Sequence, residues 1–221
     1  MPDVSILNEV DWSEVKSHYQ RRSKISEELR NLLNDGQVRK FAELAIGISD
    51  NAGNYSAAEH PKIKASIPRN LNWQGRICDL AKKFIPLKNA SDVPQLIDRA
   101  RLDYLKISVG SEMSCMINPQ VCWVCNRRTI WTHLAWTRGT GEAEQLLEAF
   151  KIGDSDSEMA YSNWAVGFHP ELGSSLAEVA KEGSKLSLEA DVSPGPLVFL
   201  WADAIASRAF DDFHKRLTHR T

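Results

Sequence analysis

The sequence has no hydrophobic run that approaches the roughly 20 apolar residues needed to span a bilayer. Its N-terminal stretch, residues 1–12, contains acidic side chains and lacks the basic-then-apolar layout of a secretory signal. Cysteine is also sparse, with four in 221 residues. Without an export signal we expect these thiols to be reduced rather than paired in a disulfide framework. These absences favour a soluble, cytoplasmic protein.

Excess charge of either sign is lacking as well. The formal net charge is -2, so no overall electrostatic attraction to nucleic acid or anionic lipid is expected, and any such binding must depend on a local patch. A hydrophobic fraction of 43% with 25% charged residues is typical of a globular protein. At this length we expect one domain, residues 1–221, without membrane contact.

Apolar residues recur at helical spacing along most of the chain and predict an all-α domain of about eight antiparallel helices. Two segments depart from this pattern. Residues 121–124 and 185–190 are strand candidates and allow one short hairpin or strand pair. Helical patterns begin near Asp11, Gln37, Asn72, Ser91, Gly141 and Leu197, and two further ones cover 155–168 and 172–181. The pattern that begins at Ser91 is expected to end at Gly110, and residues 111–117 to form one more short helical turn.

A long irregular segment, residues 50–71, is rich in Asn, Ser, Gly and Pro. Loops of this length in a compact domain include binding loops and plain surface excursions, and the sequence leaves both open.

The most unusual stretch is Asn118–Arg138, which holds three of the seven tryptophans, and residues 113–141 around it contain no Asp or Glu. Interleaved cations and aromatic rings suit stacking on unpaired bases, and they also suit a protein–protein interface. We therefore predict a binding surface here, and its candidate residues are Asn126, Arg138, Trp123 and Trp136.

A helix is expected to begin at Asn126–Thr129 and to run to Trp136. At 100° per residue, Ile130 and Leu134 fall in its apolar sector and His133 falls outside that sector. A histidine off the core face, near an arginine from the first turn, suits phosphodiester chemistry. Imidazole transfers protons near neutral pH, and guanidinium stabilises a charged phosphorus transition state.

The segment Arg128–His133 resembles the Arg-x4-6-His motif of the HEPN superfamily, and Arg127 with His133 fits the longer spacer. That resemblance implies a small all-α protein, commonly dimeric, and a metal-independent endoribonuclease of a defence or toxin system. It implies that His133 and Arg128, or Arg127, form half of a composite site across a dimer interface. The 2′-hydroxyl of RNA would be the nucleophile, and the product would be a cyclic phosphate.

Zinc binding is an alternative for the same stretch. Cys122 and Cys125 form a C-x-x-C pair, Cys115 lies upstream and His133 downstream, so four potential ligands fall within a short segment. The same cysteines also fit a core as small apolar residues. Our leading prediction includes no metal and no cofactor.

Two classes of function remain open. One is the HEPN-like ribonuclease. Glu112 can either pair with the central arginines or serve as an acid or base, and the sequence leaves both roles open. The other class is a non-catalytic adaptor or subunit that binds nucleic acid or a protein partner through the Trp/Arg surface, as a homo-oligomer or within a larger complex.

Overall fold

A computed structural model of the chain describes residues 2–50, 52, 53, 55, 65–151 and 163–218. This part of the chain consists of helices and their connections, so the predicted all-α class is confirmed. Its α-helices are α1 (Trp12–Asn34), α2 (Val38–Ala45), α3 (Trp73–Phe84), α4 (Val93–Arg99), α5 (Ile107–Ile117), α6 (Arg127–Arg138), α7 (Thr140–Lys151), α8 (His169–Glu189) and α9 (Val198–Thr218). Short 3-10 helices occupy Val4–Leu7, Ile67–Arg69 and Ala90–Asp92, and a π-helix, Asn163–Phe168, leads into α8.

Helix α6 is the central element. It packs against α7, α8 and α9, and it buries every residue from Thr129 to Trp136. A second group of helices lies beside it, in which α1 packs against α9, α5 and α2. The buried apolar side chains of both groups form one continuous core. A helix that is covered on several sides has no solvent-facing stripe, and this matters for the site residues below.

Local capping explains where the main helices begin. The Asn126 side chain accepts hydrogen bonds from the backbone N–H groups of Arg128 and Thr129, and the Thr129 hydroxyl accepts one from the backbone N–H of Asn126. This reciprocal capping box starts α6 where the sequence predicts. Asp11 caps α1 in a similar way through the backbone N–H groups of Ser13 and Glu14.

The single helix predicted between Ser91 and Gly110 is wrong, because the structure has two, α4 and α5. Arg101 and Tyr104 in the connection have φ angles of 48° and 67°. This left-handed backbone cannot continue a right-handed helix. Helix α5 then absorbs residues 111–117, for which the sequence predicts only a separate short turn.

Neither strand candidate forms a strand. Residues 185–189 belong to α8, and residues 121–124 form an irregular connection between α5 and α6. The alternation in residues 185–190 comes from the far end of a long amphipathic helix. Most of the helix expected over 155–168 lies outside the described residues, and so do residues 51, 54 and 56–64 of the predicted loop. In the described part of the chain, no helix combines the length and hydropathy required to cross a membrane.

Candidate functional site

A polar pocket of about 160 Å³ opens between α1, α5, α6 and α9. A cavity of about 150 Å³ holds a benzene-sized molecule, so this pocket has room for a phosphate or a sugar ring. Its lining is almost entirely polar. The residues are His18, Arg22, Gly53, Tyr55, Glu112, Asn126, Arg128, Asp203, Ser207 and Asp211.

A buried ion pair forms one wall of the pocket. Nε of Arg22 on α1 lies 3.0 Å from Oδ2 of Asp203 on α9, and both side chains are 2% exposed. Burial alone would raise the pKa of Asp203, but the charge of Arg22, with a contribution from His18, outweighs it and holds that pKa below its ordinary value. Asp203 is therefore an anion at neutral pH.

His18 lies beside this pair. Its Nε2 is 3.9 Å from Oδ2 of Asp203, which is too long for a hydrogen bond but close enough for electrostatic attraction, and its side chain is 24% exposed. His18 is thus a partly accessible histidine beside a fixed negative charge, which suits proton transfer.

The opposite wall comes from the start of α6 and from α5. The Asn126 side chain donates to Oε1 of Glu112 at 3.3 Å, and Glu112 is 2% exposed. Nε of Arg128 lies 3.4 Å from Oδ1 of Asp211, and these two side chains are 27% and 41% exposed. Because the second pair is long and partly hydrated, a ligand anion can replace Asp211 at Arg128 at little cost. The positive end of the α6 dipole adds to this attraction.

His133 does not reach this pocket. It is 8% exposed and lies between α6 and α8, so the expectation that it stands outside the core is wrong. Five positions separate it from Arg128, which places the two side chains about 140° apart around a helix. The periodicity correctly separates His133 from Ile130 and Leu134, but α8 covers that second face too.

The contacts of His133 define its tautomer. The Ser175 hydroxyl donates to the backbone carbonyl of Leu172, so it accepts from Nδ1–H of His133 at 2.8 Å. Burial lowers the pKa of His133, an effect that the carboxylate of Glu171, 3.7 Å from Nε2, opposes and that Arg138 reinforces. The ring is therefore neutral at pH 7.

The tryptophans of the predicted Trp/Arg surface are buried in the structure. Trp123, Trp131 and Trp136 are 9%, 1% and 1% exposed. Nε1–H of Trp123 donates to the carbonyl of His169, and Nε1–H of Trp136 donates to Glu178. These rings are core residues, since α8 and α9 cover faces of α6 that would be open on an isolated helix.

The three arginines of the stretch separate from one another. Arg127 is exposed, and its guanidinium lies 5.3 Å from the Phe210 ring. Arg138 is exposed at the other end of α6, where it pairs with Glu142 at 2.9 Å. Only Arg128 lines the pocket.

The zinc alternative lacks converging ligands. Within the described ranges, no group of three or more His, Cys, Asp or Glu side chains is arranged to hold a metal ion. Cys115, Cys122 and Cys125 are buried free thiols, and burial raises the pKa of each of them. A protonated thiol in an apolar core is a poor metal ligand, and His133 faces Ser175 instead.

Seven of the lining residues were absent from the sequence-based candidates, and the charged wall formed by His18, Arg22 and Asp203 is among them. The other four are Gly53, Tyr55, Ser207 and Asp211. A signal for Arg22 and Asp203 exists in the sequence. Arg22 falls on the apolar stripe of α1 between Tyr19 and Leu29, and Asp203 is the only charged residue in 198–207. A charge at a core position of two different helices indicates a buried pair.

Comparison of the chain with protein-family models, with curated proteins and with solved structures finds no match. The functional interpretation therefore depends on the pocket itself.

Proposed function

We propose that the protein cleaves RNA phosphodiester bonds without a metal ion, and that the reaction takes place in the polar pocket. The observation that supports this most is the grouping of Arg128 with a partly accessible histidine, His18, and a buried carboxylate, Glu112. This proposal keeps the reaction expected from the HEPN resemblance and one of its residues, Arg128. It assigns the acid–base role to residues other than His133.

Each group has a role that its surroundings support. Arg128 binds the non-bridging phosphate oxygens in place of Asp211. Glu112 takes the proton from the 2′-hydroxyl, whose oxygen then forms a bond to phosphorus. His18, beside the Asp203 carboxylate, gives a proton to the 5′-oxygen as the phosphorus–oxygen bond to it breaks. The products are a 2′,3′-cyclic phosphate and a free 5′-hydroxyl.

Two matched pairs of variants test this proposal. The measurement is cleavage of a fluorogenic oligoribonucleotide in the presence of a chelator. We expect His18→Ala to lower kcat by a factor of about 10² or more, as is usual for loss of a general acid. His133→Ala is its control and should retain activity once its folding is verified. Likewise Arg128→Ala should lose activity and Arg127→Ala, one position away, should keep it.

The opposite result has a clear meaning. Loss of cleavage in His133→Ala together with full activity in His18→Ala would refute the pocket as the active site. It would favour the composite dimer site that the HEPN resemblance implies, with His133, Arg128 and Arg127 as catalytic residues.

A non-catalytic adaptor or subunit is the second prediction. Its proposed surface retains the exposed residues Arg127 and Arg138 but not the buried tryptophans. Absence of cleavage by the wild-type protein, combined with RNA binding that Arg127→Ala and Arg138→Ala weaken, would support the adaptor and refute the enzyme.

A further inference from the structure

We infer that Tyr55 is the residue with which the pocket distinguishes a ribose from a deoxyribose. This inference rests on the proposed function, and it adds a specificity residue to the same site. It depends on the position of one hydroxyl group in the pocket wall.

Tyr55 lines the pocket and is 3% exposed. Its hydroxyl oxygen is buried, and among the described residues it has no hydrogen-bond partner. Leaving a buried hydroxyl without a partner is costly, and native proteins rarely do so unless a ligand or water completes the bond. A donor is therefore available at this wall.

The surroundings of Tyr55 select the kind of group that completes the bond. The guanidinium of Arg22 lies 5.8 Å from the centre of the Tyr55 ring, and Glu112 lines the same cavity. Burial raises the pKa of Tyr55, so its hydroxyl keeps its proton and acts as a donor. A ligand group that accepts from Tyr55 and can also donate to a carboxylate fits this lining, and a sugar hydroxyl does both.

The backbone holds Tyr55 in this position. Gly47 has a φ angle of +72°, and a Cβ atom at this residue would lie 2.7 Å from Cβ of Tyr55. Tyr55 thus packs directly against the backbone of Gly47, where the Cβ atom of any other residue would collide with it. This close packing orients the hydroxyl before any ligand arrives.

In the proposed reaction the sugar hydroxyl is the 2′-hydroxyl of the nucleotide 5′ to the cleaved bond. A site built to hydrogen-bond a hydroxyl rejects an analogue that lacks it, because the buried donor then stays unpaired. The 2′-hydroxyl is also the group that separates RNA from DNA. Tyr55 would accordingly make the pocket specific for RNA at the level of binding.

The test uses two small probes without a scissile bond, uridine 3′-monophosphate and 2′-deoxyuridine 3′-monophosphate, whose phosphate occupies the position of the one attacked in the proposed reaction. Calorimetric titration of the wild-type protein should show about tenfold or more tighter binding of the ribose compound. In Tyr55→Phe this ratio should fall below about threefold, because only the hydroxyl is lost.

Thermal unfolding distinguishes the proposed role from a purely structural one, because losing a structural tyrosine hydroxyl would lower Tm. Tyr55→Phe should have a Tm equal to or higher than that of the wild type, since it removes a buried hydroxyl without a protein partner. Tyr19→Phe is the matched control, because the buried Tyr19 hydroxyl accepts from the backbone N–H of Leu197. That variant should lower Tm and leave the binding ratio unchanged.

The outcomes separate the two proposals. If the wild type binds neither probe nor inorganic phosphate, the pocket is not a phosphate site, and the proposed function fails. If both nucleotides bind equally, or if Tyr55→Phe keeps the full ratio or lowers Tm as Tyr19→Phe does, the role of Tyr55 is refuted while the phosphate site stands.

Discussion

The two faces of α6 bury titratable groups in opposite states. Towards α1 and α9 the protein keeps charges, with Arg22 and Asp203 in contact at 3.0 Å and both 2% exposed. Towards α8 it keeps neutral histidines, since burial lowers the pKa of His133 and lowers that of His169 to about 4. Burial is similar on both faces, so the presence of a buried partner of opposite charge decides which state results. Glu171, the carboxylate near His133, is 67% exposed and does not outweigh the effect of burial.

The two faces of α6 also differ in the chemistry that they can support. An ion-paired pocket that is open to solvent can exchange one of its carboxylates for a ligand anion. A closed face with neutral rings can only lose stability when the rings are protonated. This difference is the reason that we place the chemistry beside His18 rather than beside His133.

Arg22→Ala should have the largest effect on stability. The variant leaves the Asp203 carboxylate buried without its cation, and breaking such a pair costs about 3–5 kcal/mol of the free energy of unfolding. Urea denaturation at pH 7 measures this. A loss below about 1 kcal/mol would mean that the pocket wall is hydrated enough to tolerate a lone charge, and the comparison of the two faces would fail.

The acid dependence of stability should come from the α8 face. In the unfolded chain His169 binds its proton near pH 6.5, whereas in the folded protein it does so only near pH 4. Between these values the unfolded state binds more protons, so stability falls as the pH is lowered, by about 3 kcal/mol from this residue. Asp203 also contributes to the stability of the folded protein, and this contribution is fully present above the ordinary aspartate pKa of 3.8. It is lost at lower pH, as the pH falls through the lowered pKa of Asp203 in the folded state.

His169→Phe tests that assignment. The ring of His169 stacks on Trp123 with centroids 5.2 Å apart, and Phe keeps this packing without a titrating group. Urea unfolding at several values between pH 7 and 4 should then show a shallower decline than in the wild type. An unchanged decline would assign the acid sensitivity to other groups.

Arg138→Ala should have the smallest effect. Its pair with Glu142 is exposed on both sides, and such pairs contribute less than about 1 kcal/mol. Because the Arg138 charge helps to lower the pKa of His133, the variant should raise that pKa slightly. Titration of the His133 ring by NMR would detect this, and a fall in the pKa would contradict the described surroundings of His133.

The helices were predictable where their signals are local. Asn126 and Asp11 cap their own helices through residues two or three positions away, and the structure begins α6 and α1 there. The break between α4 and α5 was not predictable in this way. It depends on left-handed backbone at Arg101 and Tyr104, two residues without a strong preference for that conformation.

The site was less predictable than the fold. The sequence singled out Arg128 and Asn126, and both line the pocket. Glu112 lines it too, but the sequence left its role undecided. It paired Arg128 with His133 because they are close in the chain, whereas His18 comes from α1, more than a hundred residues earlier. Periodicity describes one helix at a time, so it cannot show that α8 covers the polar face of α6.

By itself, the sequence determined the helical class, the capped starts of α1 and α6 and the concentration of unusual residues around α6, because these depend on composition and on neighbours within a few positions. Only the tertiary structure decided that the tryptophans are core, that His133 is enclosed, and that Arg22, Asp203 and His18 meet Arg128. These outcomes depend on which helices pack together. A charged side chain on the apolar stripe of one helix can line a pocket only when another helix, distant in sequence, brings its counter-ion within about 3–4 Å.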